Sequence, residues 1–487
     1  MKKNILENKN LAYFFAITLI FFGVFAKMEY AADTYAVFNF SARELIEQFA
    51  SSGRIITAIV GAIFKVLHIK NEIMYISSFF VSILCITISQ YRLYNIIKSE
   101  IKNELIGKII PILIIVNTFS IELFLFVEKG IMTLAILMCI LALENVIKLM
   151  RKFDKKNFIY AIIYMLIATC SYQGVIGIFI CLSILFILKY SKTFKEFIIN
   201  NIYVAFIYGM PAIIDYLFTK ILYAGSRVNG EIILLESLRK IYYNTIDMAK
   251  YMYNMLPKYL FIGMNGIIMF ILLYYILSDK KNVKYKVIEI LKIIYIISGT
   301  IIATIMPQIM QSTSEIWFVA RSTYAFASIY GILLLYLYMN YEISNLIELF
   351  VIIISIILIL FNFYTFNLIS TDRYKLNAID YQVTMKISEQ IDEYEKKTSN
   401  KITKIAIYND KNISYTYSGI FATGDINIKA YCKEWIIEDI INYYCNRKIE
   451  IVEKQNDLEE YFREKDWKTF DLEQLKFEGD TLHICCY

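Results

Sequence analysis

Histidine and proline are scarce in this chain: 487 residues hold 2 and 4 of them. Charge is thin too, at 19% of residues, where a soluble domain carries about 25%. Each shortage excludes something. With only His68 and His483, a histidine triad, a His/Cys zinc site or an intramembrane histidine relay has nothing to be built from. Low charge beside 58% hydrophobic residues excludes an ordinary soluble enzyme and a disordered chain. The 8 cysteines are too dispersed for a disulfide-rich module. No Gly-rich phosphate loop and no nucleophile elbow occurs.

What is present is a succession of apolar runs that stops near residue 369. Candidate membrane spans fall at about 11–27, 73–91, 109–126, 130–148, 157–172, 174–190, 197–219, 258–278, 287–306, 321–339 and 346–368, which makes about eleven. Lys2 and Lys3 precede the first run, and no small-x-small cleavage pattern follows it, so it is expected to stay as a span. The last 118 residues differ: they hold 17 Lys and Arg against 22 Asp and Glu, leaving 33 and 22 upstream. An acidic tail of this kind does not suit nucleic acid.

The basic turns set the expected orientation. Lys2, Lys3 and Lys9 place the N-terminus in the cytoplasm. The turns around Arg92–Lys108, Lys148–Lys156, Lys189–Lys195 and Lys280–Lys286 go to the same side. The C-terminal domain then lies outside. Residues 40–69 do not fit as a crossing, because that would put the 148–156 turn outside. They are expected to form surface helices or a re-entrant segment, since Ser41–Phe49 divides into polar and apolar helix faces.

Two domains are expected: 1–369 in the membrane and 370–487 outside it. In the tail, helices are expected over 377–395 and 435–444, and strands over 404–408, 448–452 and 481–484, giving a small α/β domain. A Cys432–Cys445 bridge is open to such an outer domain. The adjacent Cys485 and Cys486 lack metal-ligand spacing.

Charges retained beside membrane spans are the candidates for function. On the expected outer side these are Asp33 and Arg54 in the first loop and Glu122, Glu128 and Lys129 in the second. The loop over 223–258 adds Arg227, Asp247 and Lys250, and Glu315, Trp317 and Arg321 lie before the tenth span. Arginine matches phosphate with two parallel donors, and a carboxylate accepts the proton of an attacking hydroxyl. Trp317 and Tyr30 are candidates for stacking on sugar rings. His68, beside Lys70, reads as an interfacial residue.

Ala32-Asp33-Thr34-Tyr35 follows the first span, and Phe49-Ala50-Ser51-Ser52-Gly53-Arg54 comes next. This opening resembles the bacterial glucosyl transferase II (Gtr-type) family, within the GT-C class of polytopic glycosyltransferases. The resemblance covers roughly 10–369. It implies a mainly α, polytopic fold and inverting transfer of a sugar, with glucose first in line, from a polyprenyl-phosphate donor to a cell-surface polysaccharide, teichoic acid or lipid-linked glycan. It implies Asp33 as general base. Arg54 and Arg321 would then contact the donor phosphate, and Glu122, Glu128, Lys129 and Glu315 would line the substrate site. The family often carries paired acids where this chain has Asp33-Thr34, so a divalent metal is not indicated and no cofactor is expected.

Two competing readings remain. A flippase, polymerase or other envelope-glycan transporter needs charges mid-span, for which Asp215, Glu144 and Glu122 are available. A non-catalytic scaffold has no need of Asp33 beside a Gly-Arg pair.

Overall fold

The computed structural model describes residues 2–222, 231–255, 260–309, 311–417 and 424–487. It is mainly helical, with a small four-stranded sheet near the C-terminus. The chain divides into two compact units. The first comprises 1–26, 42–124 and 128–366; the second comprises 27–41, 125–127 and 367–487. The boundary near 366 lies close to the expected one at 369. The two inserted segments, including the one that carries Asp33, are a departure from the sequence expectation.

Among the described residues, nine helices are long and apolar enough to cross a membrane, against the eleven runs expected. The run at 109–126 does not fold as one helix. It gives Glu104–Ile115 and the single turn Ser120–Leu123. Asn117 makes the break: its Oδ1 accepts from the backbone N–H groups of Phe119 and Ser120 at 3.0 and 3.1 Å. Its Nδ2 donates to the Ile114 and Tyr324 carbonyls and to Ser328 Oγ. A side chain that offers the backbone these alternatives competes with the helix ladder. The run at 157–172 forms Lys155–Ser171, 17 residues long.

Residues 42–66 form two short helices, Ala42–Ala50 and Ile55–Val66. At 12 residues the second spans about 18 Å, short of a bilayer core of about 30 Å. The stretch 223–258, read from sequence as a loop, holds the helix Leu234–Met255, on which Asp247 lies. Arg227 lies outside the described residues.

Within the first unit, Lys129–Arg151 packs against Asn71–Ile97 and Lys155–Ser171. Gly177 and Gly331 allow close approach of helices. A Cβ on Gly177 would meet the Ala303 carbonyl at 2.5 Å, and one on Gly331 would meet Ile114 at 2.6 Å. Polar groups between helices are satisfied in place: Thr118 Oγ1 donates to Asn362 at 2.9 Å, and Tyr336 and Tyr341 both donate to the buried Glu289.

One end of this bundle gathers the basic turns. Glu100 bonds Lys189 and lies 3.9 Å from Arg151, and Lys102 pairs with Glu342 at 2.6 Å. The turns after 97, 151, 190 and 340 therefore share an end, and the first three carry lysines and arginines that the sequence reading grouped together.

The second unit is built on strands β1 (Lys404–Asn409), β2 (Glu450–Ile451), β3 (Leu475–Glu478) and β4 (Thr481–Cys486), in the order β2-β1-β4-β3. β1 runs parallel to both neighbours, and β3 pairs antiparallel with β4 across a turn with Gly479 at φ +58°. Ile405 to Tyr408 are all buried, as a central strand covered on both faces requires. Phe462 of Asn456–Arg463 packs on Ala406 and Tyr408.

The expected helix 377–395 is the end of a 54-residue helix, Asn345–Thr398. Leu376, Val383, Ile387 and Ile391 form its buried seam in this unit. Cys432 and Cys445 are free thiols, so the bridge considered from sequence is not formed. Lys429 is 1% exposed, with its ammonium 3.7 Å from the Tyr487 ring centroid. Burial pushes its pKa down to about 8.

Candidate functional site

At the end of the bundle opposite Glu100, the helix Gly177–Tyr190 is preceded by the turn Tyr172-Gln173-Gly174. The turn lies against the start of the Ala320–Ser328 segment: a Cβ on Gly174 would meet the Arg321 carbonyl at 2.8 Å and Ser322 Cα at 2.9 Å. Between them is a polar chamber of about 170 Å³, lined by Arg54, Gln308, Gln311, Glu315, Trp317 and Arg321 among others. Four of the residues singled out from sequence, Arg54, Glu315, Trp317 and Arg321, thus meet in one cavity.

The two arginines differ in state. Arg321 is 7% exposed, and its Nη1 donates to Glu122 Oε1 at 2.7 Å. Its backbone N–H donates to the other oxygen, Glu122 Oε2, at 2.6 Å. Glu122 is fully buried, so this pair is a wall of the site. Arg54 makes no ion pair among the described residues, and its buried Nε has no hydrogen-bond partner among them. Its guanidinium lies over the Tyr172 ring, 4.8 Å from the centroid. Arg54 is therefore the chamber's arginine without an ion pair among the described residues, and the Glu315 side chain lines the same chamber.

Arg54 ends a tight turn. Its N–H donates to the Phe49 carbonyl at 2.9 Å, and Gly53 has φ +75°. A Cβ on Gly53 would come within 2.5 Å of both Asp215 Oδ2 and Gln173 Nε2. Glycine is needed here for conformation and for space.

Behind the turn lies a second cavity, of about 350 Å³. Its walls are mostly apolar and include Ile176, Ile213, Met306 and the carboxyl group of Asp215. The two cavities share Gln173, Pro307 and Gln311. A polar chamber thus lies beside a mostly apolar one.

Glu128 and Lys129 are buried at the start of Lys129–Arg151, with the Lys129 ammonium 3.5 Å from the Tyr75 ring centroid. They do not line either cavity. The helix Leu234–Met255 ties to the segment before Trp317: Ser237 and Thr313 hydroxyls are 2.8 Å apart, and Lys240 donates to the Thr313 carbonyl.

Asp33 belongs to the second unit, in the first turn of the helix Ala32–Asn39. The helix is fixed within its unit: Tyr35 and Tyr444 hydroxyls are 2.9 Å apart, and Asn39 Nδ2 donates to the Asp439 carbonyl at 2.8 Å. Just before it, Asn377 bonds both the N–H and the carbonyl of Tyr30. Tyr30, considered from sequence as a sugar-stacking residue, is packed edge-on against Tyr35 and Phe38.

Sequence reasoning did not find Gln173, Gln308 or Gln311, and it weighed Asp215 only for transport. The signal available was the Gln-Gly pair between two apolar runs. Among the described residues, no group of three or more His, Cys, Asp and Glu is placed to hold a metal ion. Compared with family models, curated proteins and solved structures, the chain matches none of them.

Proposed function

We propose that this chain is a multi-pass membrane glycosyltransferase of the GT-C kind. It moves a sugar, with glucose first in line, from a polyprenyl-phosphate donor to a cell-surface polysaccharide, teichoic acid or lipid-linked glycan at the outer face of the membrane. In this reading the N-terminus is cytoplasmic and the C-terminal unit extracytoplasmic. The observation that carries it is Arg54, with no ion pair among the described residues, in a polar chamber with Trp317 and three glutamines beside a mostly apolar cavity.

The acceptor hydroxyl attacks the anomeric carbon. The C–O bond to phosphate breaks, the configuration inverts, and Asp33 takes the hydroxyl proton. The lipid phosphate leaves with the bonding electrons, and Arg54 meets the charge that grows on it. Arg321, already neutralised by Glu122, shapes the chamber rather than serving as its second free cation. The test is transfer by purified protein from a panel of radiolabelled polyprenyl-phosphate sugars to isolated cell-wall polymer. Labelled polymer and released lipid phosphate are expected; no transfer from any donor overturns the reading.

One observation favours the transporter alternative. Of the three acids available to it, Glu122 is paired with Arg321, and Glu144 with Arg92 and Lys148. Asp215 is left in a cavity with no ion pair among the described residues. A transporter reading predicts glycan movement across sealed vesicles without bond cleavage, which the same donors measure.

A further inference from the structure

Three acceptors converge on one atom. Gln173 Nε2 lies 2.8 Å from the Gly53 carbonyl, 3.3 Å from the Ser52 carbonyl and 3.0 Å from Asp215 Oδ2. Only the NH2 end of the amide suits that position, since a carbonyl oxygen there would face three oxygens. Asp215 is 7% exposed, and its other carboxylate oxygen receives only a long contact from the Cys170 thiol, at 3.8 Å. A buried carboxylate in mostly apolar walls is costly, so its place calls for a role. Gly53 touches both partners of the clamp, and Arg54 follows it directly. Tyr172, the ring under the Arg54 guanidinium, precedes Gln173.

We propose that Asp215 is a positioning residue for Arg54: working through Gln173, it holds the Ser51–Arg54 turn closed and aims the guanidinium into the polar chamber. Asp215 fixes which end of the Gln173 amide faces the turn. Gln173 then ties down two successive carbonyls, and the next side chain is Arg54. The Ser-Ser-Gly-Arg sequence is thereby explained by a partner 162 positions beyond Gly53. The consequence for phosphate binding rests on the proposed function; the hold on the turn does not.

The experiment uses the full-length protein in detergent, with farnesyl phosphate as the probe and two readouts. Asp215→Ala removes the acceptor and is expected to weaken farnesyl phosphate binding about tenfold, the worth of one hydrogen bond to a charged group. Asp215→Asn keeps an acceptor oxygen and is expected to stay within about threefold of wild type. Arg54→Gln weakens binding at least as much as Asp215→Ala, and the double variant is no weaker than Arg54→Gln alone, because both changes act through one group. Amide hydrogen exchange at 51–55 is expected to quicken in Asp215→Ala with or without ligand.

Wild-type binding that Asp215→Ala leaves unchanged, with no change in exchange, overturns the positioning role. So do losses that simply add in the double variant. Absence of farnesyl phosphate binding in the wild type, with faster exchange in Asp215→Ala, overturns the phosphate reading and leaves the positioning role standing. Should Asp215→Ala not fold, Gln173→Leu breaks the same clamp from its other side, and the same outcomes decide.

Discussion

Glu122 and Arg321, 199 positions apart in the chain, meet at two points: one carboxylate oxygen receives the arginine side chain, the other its backbone N–H. The pair joins the short turn after Asn117 to the segment that enters the Ile329–Asn340 helix. Both residues are buried. Two residues that sequence reading assigned to substrate are in this structure each other's partners.

That pairing predicts an asymmetry. Glu122→Gln or Arg321→Met alone leaves a buried charge without its partner and is expected to cost about 3–5 kcal/mol. The double variant Glu122→Gln/Arg321→Met is expected to recover most of the loss. The midpoint of thermal unfolding in detergent is the measurement. Single variants as stable as wild type would show that the pair carries little.

Arg54 is expected to behave in the opposite way. With no ion pair among the described residues to lose, Arg54→Gln should unfold within about 0.5 kcal/mol of wild type, while losing lipid-phosphate binding. Arg54→Lys should keep part of that binding, since it retains charge but not the two-pronged donor. Isothermal titration with a polyprenyl phosphate reads both.

Much of the helical layout was legible in the sequence, and the reason is physical. Spans of 19 or more apolar residues have few other ways to fold, and lysine-rich turns mark which ends belong together. Asn117 shows why the 109–126 run misled. Its side-chain bonds to Phe119, Ser120 and the distant Tyr324 and Ser328 are tertiary, and hydropathy does not register them. Arg54 was legible as a candidate because a Gly-Arg pair stood in a loop beside apolar runs. Its dependence on Gln173 and Asp215 was not, because three separate segments meet there. In the tail, β3 and the helix Asn456–Arg463 went unseen because short elements rich in charge have no clear period.

Lys429 gives a pH prediction for the second unit. Its pKa is about 8 folded against an ordinary 10.5, because burial disfavours the charged form. Between those values the unfolded chain holds more protons, so this residue's contribution to stability rises with pH there and is flat below about 8. Lys429→Met removes the charge, and its gain over wild type should be largest at pH 7. That gain should shrink by on the order of 2 kcal/mol by pH 10.5. Hydrogen exchange in β1 and β4 at several pH values measures it; a gain independent of pH would mean Lys429 is neutral throughout.

The most direct measurement of the central claim is the single-turnover rate of Asp33→Asn. It is made with purified full-length protein, polyprenyl-phosphate glucose and cell-wall polymer, and donor binding is measured alongside. Asparagine preserves size and hydrogen bonding but takes no proton from the acceptor hydroxyl. The expected result is wild-type transfer with inversion at the anomeric carbon, and a variant slower by on the order of 10²–10⁴ with donor binding unchanged. Transfer at the wild-type rate by Asp33→Asn would contradict the assignment of Asp33 as the base.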